Sequence, residues 1–370
     1  MKISIGSRIK DTPWGGGSQV AKCLADGLRR AGQAVRFDLS DPDIDIILLT
    51  EPRCSETATF DHLDIHRYHN STNPDAIVVH RINNSSAARQ DPVGRYNRFQ
   101  IQVNRSVADH TIFLSHWLAD QYARSGYQSP DFSVLLNGGD PRLWNFRKRE
   151  KPSNQFKLVT HHWSDNLKKG ADVYLMLDDM LTSKAWEGKL AFTHVGRKPA
   201  SLRLPATRHV PPCFGRDLVA EMHQHHIYIT GAQNEAAGMH HIEGALTGLP
   251  LLYRDSGGLP EYCEGFGVPF TPGTLETALK RMLTEYDSHT AAMPNYPHTA
   301  ERMCRDYLGL FEDLVKNRTQ LLRVRRPMVR RSCAALTLIA RRMDNVYWRL
   351  VRRIVARRQP TDSEQGAERA

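Results

Sequence analysis

Short apolar, β-branched runs alternate with amphipathic helical patterns along most of the chain. The first half reads as the strands "MKISIG", "AVRFDL", "DIDIILLT", "DAIVVHRI", "HTIFLS" and "FSVLLN". Between them lie helices at "GSQVAKCLADGLRRAG", near 93–107 and from Trp117 onward. "DPRLWNFRKREKPSNQ" (140–155) is charged, carries two prolines and reads as a linker. The alternation then restarts with "FKLVTHH", "LAFTHVG", "TRHVPPC", "HIYIT", "PLLYRD" and "GVPFT". Helices are predicted over 168–183, 215–224, 239–247 and 274–286, and a further one over 298–316. Strands this uniformly apolar fit a parallel sheet buried on both faces. The fold class is therefore α/β, with two tandem Rossmann-like, doubly wound domains. Their limits are 1–140 and 156–297, joined by 141–155, and 298–327 forms a closing helix and connector.

Composition changes the picture at one end only. The net charge of +10 is misleading until it is located. Residues 320–358 hold twelve arginines, no lysine and one acid, Asp344, so this segment alone carries +11. The remainder of the 370 residues is therefore close to neutral, at −1. Within 328–358, Leu336, Ile339, Met343, Val346, Tyr347, Leu350 and Ile354 recur at spacings of three and four, with arginines on the other face. This predicts a basic amphipathic helix suited to an anionic membrane surface. The same stripe could instead pack on the enzyme or on a second subunit. Nucleic acid is the weaker partner, because the body supplies no matching basic surface. Residues 359–370 read as a disordered tail.

No apolar run approaches the eighteen residues of a membrane span. The six cysteines are scattered without a CxxC pair, which fits reduced thiols in a cytoplasmic protein. The histidine groups "HQHH" (223–226) and "HH" (240–241) match no zinc spacing, and no metal is expected.

Candidate chemistry centres on "GAQNEAAGMHHIEGALTGLP" (231–250), where Glu235 and Glu243 lie eight positions apart. The stretch leaves the carboxyl end of a strand, where ligands of open α/β sheets sit. With Glu235 in the loop and Glu243 in the first turn of a helix starting near Met239, both carboxylates can face one cleft. A carboxylate accepts hydrogen bonds from both hydroxyls of a diol, such as those of sugars and ribose. The plainer alternative is a solvated Glu235 and a Glu243 that complements the helix dipole.

"NEAAGMHHIEGALTGLPLLYRDSGGLPEY" resembles the signature of retaining GT-B glycosyltransferases of the large group-1, GT4-like family. Four further stretches fit in order: "WGGGSQVAKCLADGLRRAGQAV", "IFLSHWLADQYARSG", "VLLNGGDPRLWNF" and "DNLKKGADVYLMLDDML". Together they span roughly residues 1–316. The resemblance implies transfer of a sugar from a nucleotide-sugar donor bound between the domains, and the basic helix of 328–358 suits a glycan or lipid-linked acceptor at the inner face of a membrane. It implies that Glu243 holds the ribose hydroxyls, Glu235 the transferred sugar and Lys169 the leaving diphosphate. Gly15, Gly16 and Gly17, and the backbone of Gly257 and Gly258, would approach the diphosphate. His80 would lie near the transferred sugar. No cofactor beyond the donor co-substrate, and no tightly held metal, is implied.

One departure stands out. Where the family often has an arginine before the lysine, this chain reads "VTHHWSDNLKKG". A protonated His161 or His162, or Lys168 or Arg197, would then share the diphosphate charge. A GT-B protein that binds nucleotide or glycan without turnover is the alternative this departure favours.

Overall fold

The structure is a computed structural model that describes residues 1–9 and 15–324. The segment 328–358 and the tail lie outside the described residues. In the first domain the strands are β1 (Lys2–Ile5), β2 (Ala34–Arg36), β3 (Ile46–Leu49), β4 (Ile77–Ile82), β5 (His110–Phe113) and β6 (Phe132–Val134). Its helices are α1 (Gly15–Arg30), α2 (His62–Ser71), α3 (Arg95–Val107) and α4 (His116–Arg124). A short helix, α5 (Pro141–Trp144), sits inside the segment expected to be a plain linker. The second domain contains β7 (Phe156–His162), α6 (Ala171–Leu181), β8 (Leu190–Gly196), β9 (Arg208–Val210), α7 (Arg216–Met222) and β10 (Ile227–Thr230). It continues with α8 (Met239–Leu246), β11 (Leu251–Arg254), α9 (Leu259–Cys263), β12 (Gly267–Phe270), α10 (Leu275–Thr284) and α11 (Tyr286–Ala292). α12 (Ala300–Lys316) and α13 (Arg318–Val324) complete the described chain.

Both sheets are six-stranded and all pairings are parallel, in the orders β2-β1-β3-β4-β5-β6 and β12-β11-β10-β7-β8-β9. The chain order reverses beside β1 in the first sheet and beside β7 in the second. A crevice opens beyond the strand ends at such switch points. The start of α1 and the segments leaving β4, β7 and β10 converge on the space between the domains.

The core follows the buried strands. Ile47, Leu49, Val78, Phe99 and Val103 form one layer under α2 and α3. Leu158, Val173, Leu177, Ile229 and Leu279 form another under α6 and α10. The largest cluster runs through both domains, from Ile3, Leu24 and Val79 to Tyr228, Ile242 and Leu251.

The chain crosses between domains twice. The second crossing sends α12 back against α1, where Gly27 admits Cys304: a Cβ there would lie 2.2 Å from its Sγ. The Gly139 N–H donates to the His298 carbonyl at 3.1 Å, and the Ala300 N–H to the Gly139 carbonyl at 2.7 Å. The "GGLPEY" segment also ties the domains. The Glu261 carboxylate accepts from the backbone N–H groups of His116 and Trp117 at the start of α4, at 2.6 and 2.8 Å. The Tyr262 hydroxyl donates to the Leu114 carbonyl at 2.6 Å.

Candidate functional site

β10 ends at Thr230, and Gly231–Gly238 loops back to start α8. Gly231 packs against Gly170 and Val173, at a distance only two glycines permit. The Gln233 N–H donates to the Lys168 carbonyl at 2.8 Å. These contacts hold the loop against the 3₁₀ turn Leu167–Lys169, and Lys169 Nζ forms an ion pair with the Glu235 carboxylate.

Glu243 is the fifth residue of α8, a full turn in, and not in its first turn as expected. Its support is therefore a side chain, not the helix end. His161 Nε2–H donates to Glu243 Oε2 at 2.6 Å, and both are buried. Tyr228 closes the set. Its hydroxyl accepts from the His161 N–H at 3.2 Å and donates to His161 Nδ1 at 3.1 Å.

A cleft of about 580 Å³ lies between the domains. On the second-domain side it is lined by His161, His162, Trp163, Lys169, Arg197, Glu235, Glu243 and the start of α8. On the other side stand Gly16 and Gly17 at the start of α1, with Arg81, Asn83, Asn84 and Asn137. Gly16 lets the starts of α1 and α8 approach each other: a Cβ there would meet Met239 Cγ at 2.5 Å. Two helix N-termini thus face one space, and unsatisfied N–H groups there favour an anion. Gly15 is the first residue of α1.

Several expected residues are placed differently. His80 does not line the cleft. It is fully buried, with Nε2 against Gln100 Oε1 at 3.0 Å and Nδ1 against Asn104 Nδ2 at 3.4 Å, both on α3. Burial pushes it down to about 3, so it is a neutral core residue. The reason is strand alternation: the neighbouring position, Arg81, takes the cleft side.

Gly257 and Gly258 are also absent from the lining. They sit behind the Glu235 loop, where the Gly258 N–H donates to the Glu235 carbonyl at 2.7 Å. A Cβ on Gly257 would meet the Glu235 backbone at 2.5 Å, and its φ is +68°. The Gly258 N–H and the space at Gly257 therefore shape the Glu235 loop.

His162 lines the cleft but cannot replace a permanent cation. Burial, then the nearby Lys169, holds it well below its ordinary range. Its Nε2 is engaged by the Tyr174 hydroxyl at 2.7 Å and by Thr160 Oγ1 at 3.2 Å. His240 is likewise held low by burial and bonded to Thr230 Oγ1 at 2.9 Å. Arg197 is exposed at the cleft and free to meet a ligand charge.

The residues missed from sequence are Arg81 and Asn137. A charge inside the apolar run "AIVVHRI" was the available signal. Among the described residues no group of three or more His, Cys, Asp or Glu could hold a metal ion.

No family model matches this chain. No curated protein matches it either. Solved structures do. A sucrose-phosphate synthase from Thermosynechococcus elongatus superposes with a TM-score of 0.63 at 12% identity, over 85% of this chain and 98% of that one. HepE from Anabaena, in complex with UDP, gives 0.60 at 12% identity, over 85% of this chain and 100% of its own. WaaG, a glycosyltransferase involved in lipopolysaccharide biosynthesis, gives 0.55 at 14% identity, over 85% and 98%. The fold is GT-B. Identity this low carries the architecture alone, so the chemistry has to be argued from the cleft.

Proposed function

We propose that this chain is a glycosyltransferase that moves a sugar from a nucleotide-sugar donor to an acceptor hydroxyl, with retention at the anomeric carbon. The observation that carries this reading is the pairing of Glu235 and Glu243 on one wall of the interdomain cleft, with Lys169 held at Glu235. Glu243 receives the ribose diol, and His161 fixes its orientation. Glu235 receives hydroxyls of the transferred sugar. The diphosphate lies between the starts of α1 and α8, where Lys169 and Arg197 offset the negative charge that grows as the glycosidic bond breaks. The acceptor oxygen bonds to the anomeric carbon as the sugar–diphosphate bond breaks on the same face. The departing diphosphate oxygen takes the acceptor's proton.

The solved relative HepE binds UDP and UDP-glucose, which supports a nucleotide-sugar donor here. The naming of WaaG supports a glycan or lipid-linked acceptor in surface-polysaccharide or lipopolysaccharide synthesis. Among the described residues no helix is long and apolar enough to cross a membrane. Peripheral attachment through 328–358, on the cytoplasmic side, completes the proposal.

The test is thermal-shift binding of a panel of nucleotides and nucleotide sugars to the wild type and to Glu243→Ala. A stabilising ligand that binds at least about tenfold more weakly to the variant, about 1.4 kcal/mol, supports the site. Glu243→Gln keeps an acceptor for His161 Nε2–H and controls for misfolding. No response from any nucleotide on folded wild type, or equal responses from the variants, rejects the reading. Binding without donor hydrolysis or transfer favours the non-catalytic alternative, to which the internally paired Lys169 lends some weight.

A further inference from the structure

Arg81 is a charged residue of the cleft lining that the roles above do not use. It leaves β4 on the face opposite His80 and is only 5% exposed. Its Nε–H donates to the Tyr307 hydroxyl at 2.9 Å and its Nη2–H to Asn137 Oδ1 at 2.7 Å. Both partners are neutral and buried. No carboxylate lies within ion-pair distance of it among the described residues, and Nη1 has no protein acceptor there. The two acids on the cleft lining are already engaged, Glu235 by Lys169 and Glu243 by His161. A guanidinium stays protonated in proteins, and a buried charge without a counter-charge is costly. Among the described residues Arg81 is therefore a buried cation without a counter-charge.

Its place in the cleft narrows the partner. Asn137 bridges Arg81 to the Glu235 loop, because Asn137 Nδ2 donates to the Ala237 carbonyl at 3.1 Å. Arg81 thus shares the cleft floor with the loop that carries Glu235. Its free Nη1–Nη2 edge presents the planar fork that matches a carboxylate or phosphate.

We propose that Arg81 receives an acidic group at the sugar end of the cleft, so that the sugar substrates include an anionic one. This rests on the donor-site reading above. The anion has two possible sources: a carboxylate on the transferred sugar, as in a nucleoside-diphosphate hexuronate, or a carboxylate or phosphate on the acceptor glycan.

The experiment uses the full chain and compares three ligands sharing the base found in the nucleotide panel: the bare nucleoside diphosphate, its neutral hexose and its hexuronate. Wild type, Arg81→Gln and Arg81→Lys are measured by calorimetry. If the transferred sugar carries the acid, wild type binds the hexuronate at least tenfold more tightly than the hexose. Arg81→Gln removes that preference and leaves the bare diphosphate unchanged. If the acceptor carries it, the donors bind alike in all three proteins. In transfer assays Arg81→Gln then raises KM for uronate- or phosphate-bearing acceptor glycans at least tenfold, with neutral acceptors unaffected. The preference of wild type needs no variant and stands even if Arg81→Gln fails to fold. The proposal is overturned if Arg81→Gln weakens the bare diphosphate as much as every other ligand, which would assign Arg81 to the diphosphate. It is equally overturned if neither donors nor acceptors are distinguished by charge. Failure of every nucleotide to bind folded wild type is a different result, and rejects the donor site itself.

Discussion

The two walls of the cleft handle charge in opposite ways. On the second-domain wall each carboxylate meets a nitrogen partner within the protein: Glu235 meets Lys169, and Glu243 meets His161. Two histidines beside them, His162 and His240, are buried and kept from carrying charge. On the first-domain wall a single guanidinium, Arg81, stands buried between neutral partners. The two carboxylates of the second-domain wall are settled before a ligand arrives, so a ligand at either exchanges partners. The first-domain wall is left incomplete, so a ligand there adds one. Burial is therefore a poor guide to which side waits for substrate; the presence or absence of a counter-charge is the better one.

The largest expected effect concerns buried imidazoles away from the cleft lining. His194, His225 and His298 are pushed down to about 4 and His241 to about 3, each mainly by burial. In the unfolded chain these groups titrate near 6.5. Between about pH 6.5 and 4 the unfolded state therefore binds more protons than the folded one, and stability must fall as pH falls. It is fully present above about 6.5. Each such histidine removes up to about 1.4 kcal/mol per pH unit below that. Several together approach the whole stability of an ordinary domain, about 5–15 kcal/mol. Thermal melts by circular dichroism at pH 7.5, 6.5 and 5.5 should show a steep drop in Tm and loss of structure before pH 4.5. A flat Tm across that range would mean that these imidazoles are not the neutral, buried groups described here.

A smaller effect, confined to chemistry, separates the Glu235–Lys169 pair from the rest of its wall. In the proposed donor site, Lys169→Ala removes a cation assigned to the charge that develops on the leaving diphosphate. A loss of about 10²–10³ in kcat is expected, about 2.7–4 kcal/mol, with a much smaller change in nucleotide affinity. Donor hydrolysis and transfer, measured beside calorimetric binding, give both numbers. Equal losses in binding and turnover would make Lys169 a uniform binder of the diphosphate and break the assignment.

The sequence made the frame of the molecule legible. All twelve strands appear where the strand-like runs lie; the buried ones are the most legible, because a strand buried on both faces has little choice but Val, Ile, Leu and Phe, whereas β2, β6 and β9 are partly exposed. α2 escaped because its buried face is His62, Ile65 and Tyr68, too polar to register as a stripe. Its signal was local: Asp61 caps the helix and Asp64 returns the bond, a capping box. The carboxylate pair was legible too, since it follows a strand end. Its electrostatics were not, because His161 on β7, Tyr228 on β10 and Glu243 on α8 meet only through tertiary packing. Gly257 and Gly258 misled for a related reason. A glycine pair beside a motif suggests room for phosphate, whereas here that room is filled by the Glu235 backbone.

The smallest expected effect isolates the alternation of β4 itself. His80 and Arg81 are adjacent in sequence and opposite in role. His80 belongs to a closed polar cluster with Gln100 and Asn104, and Asn104 continues to Thr111 Oγ1 at 2.5 Å. Replacing His80 by Gln disturbs that cluster without touching the cleft. Stability should fall by about 1–3 kcal/mol, the cost of a buried polar group losing its partner. Donor affinity should stay within about twofold. Urea midpoints and calorimetric titration on the same protein test both halves. A His80→Gln variant that keeps its stability but loses donor binding would put the imidazole in the cleft and exchange the roles of the two residues. Unchanged binding beside a measurable stability loss would leave Arg81 as the residue through which β4 reaches the substrate.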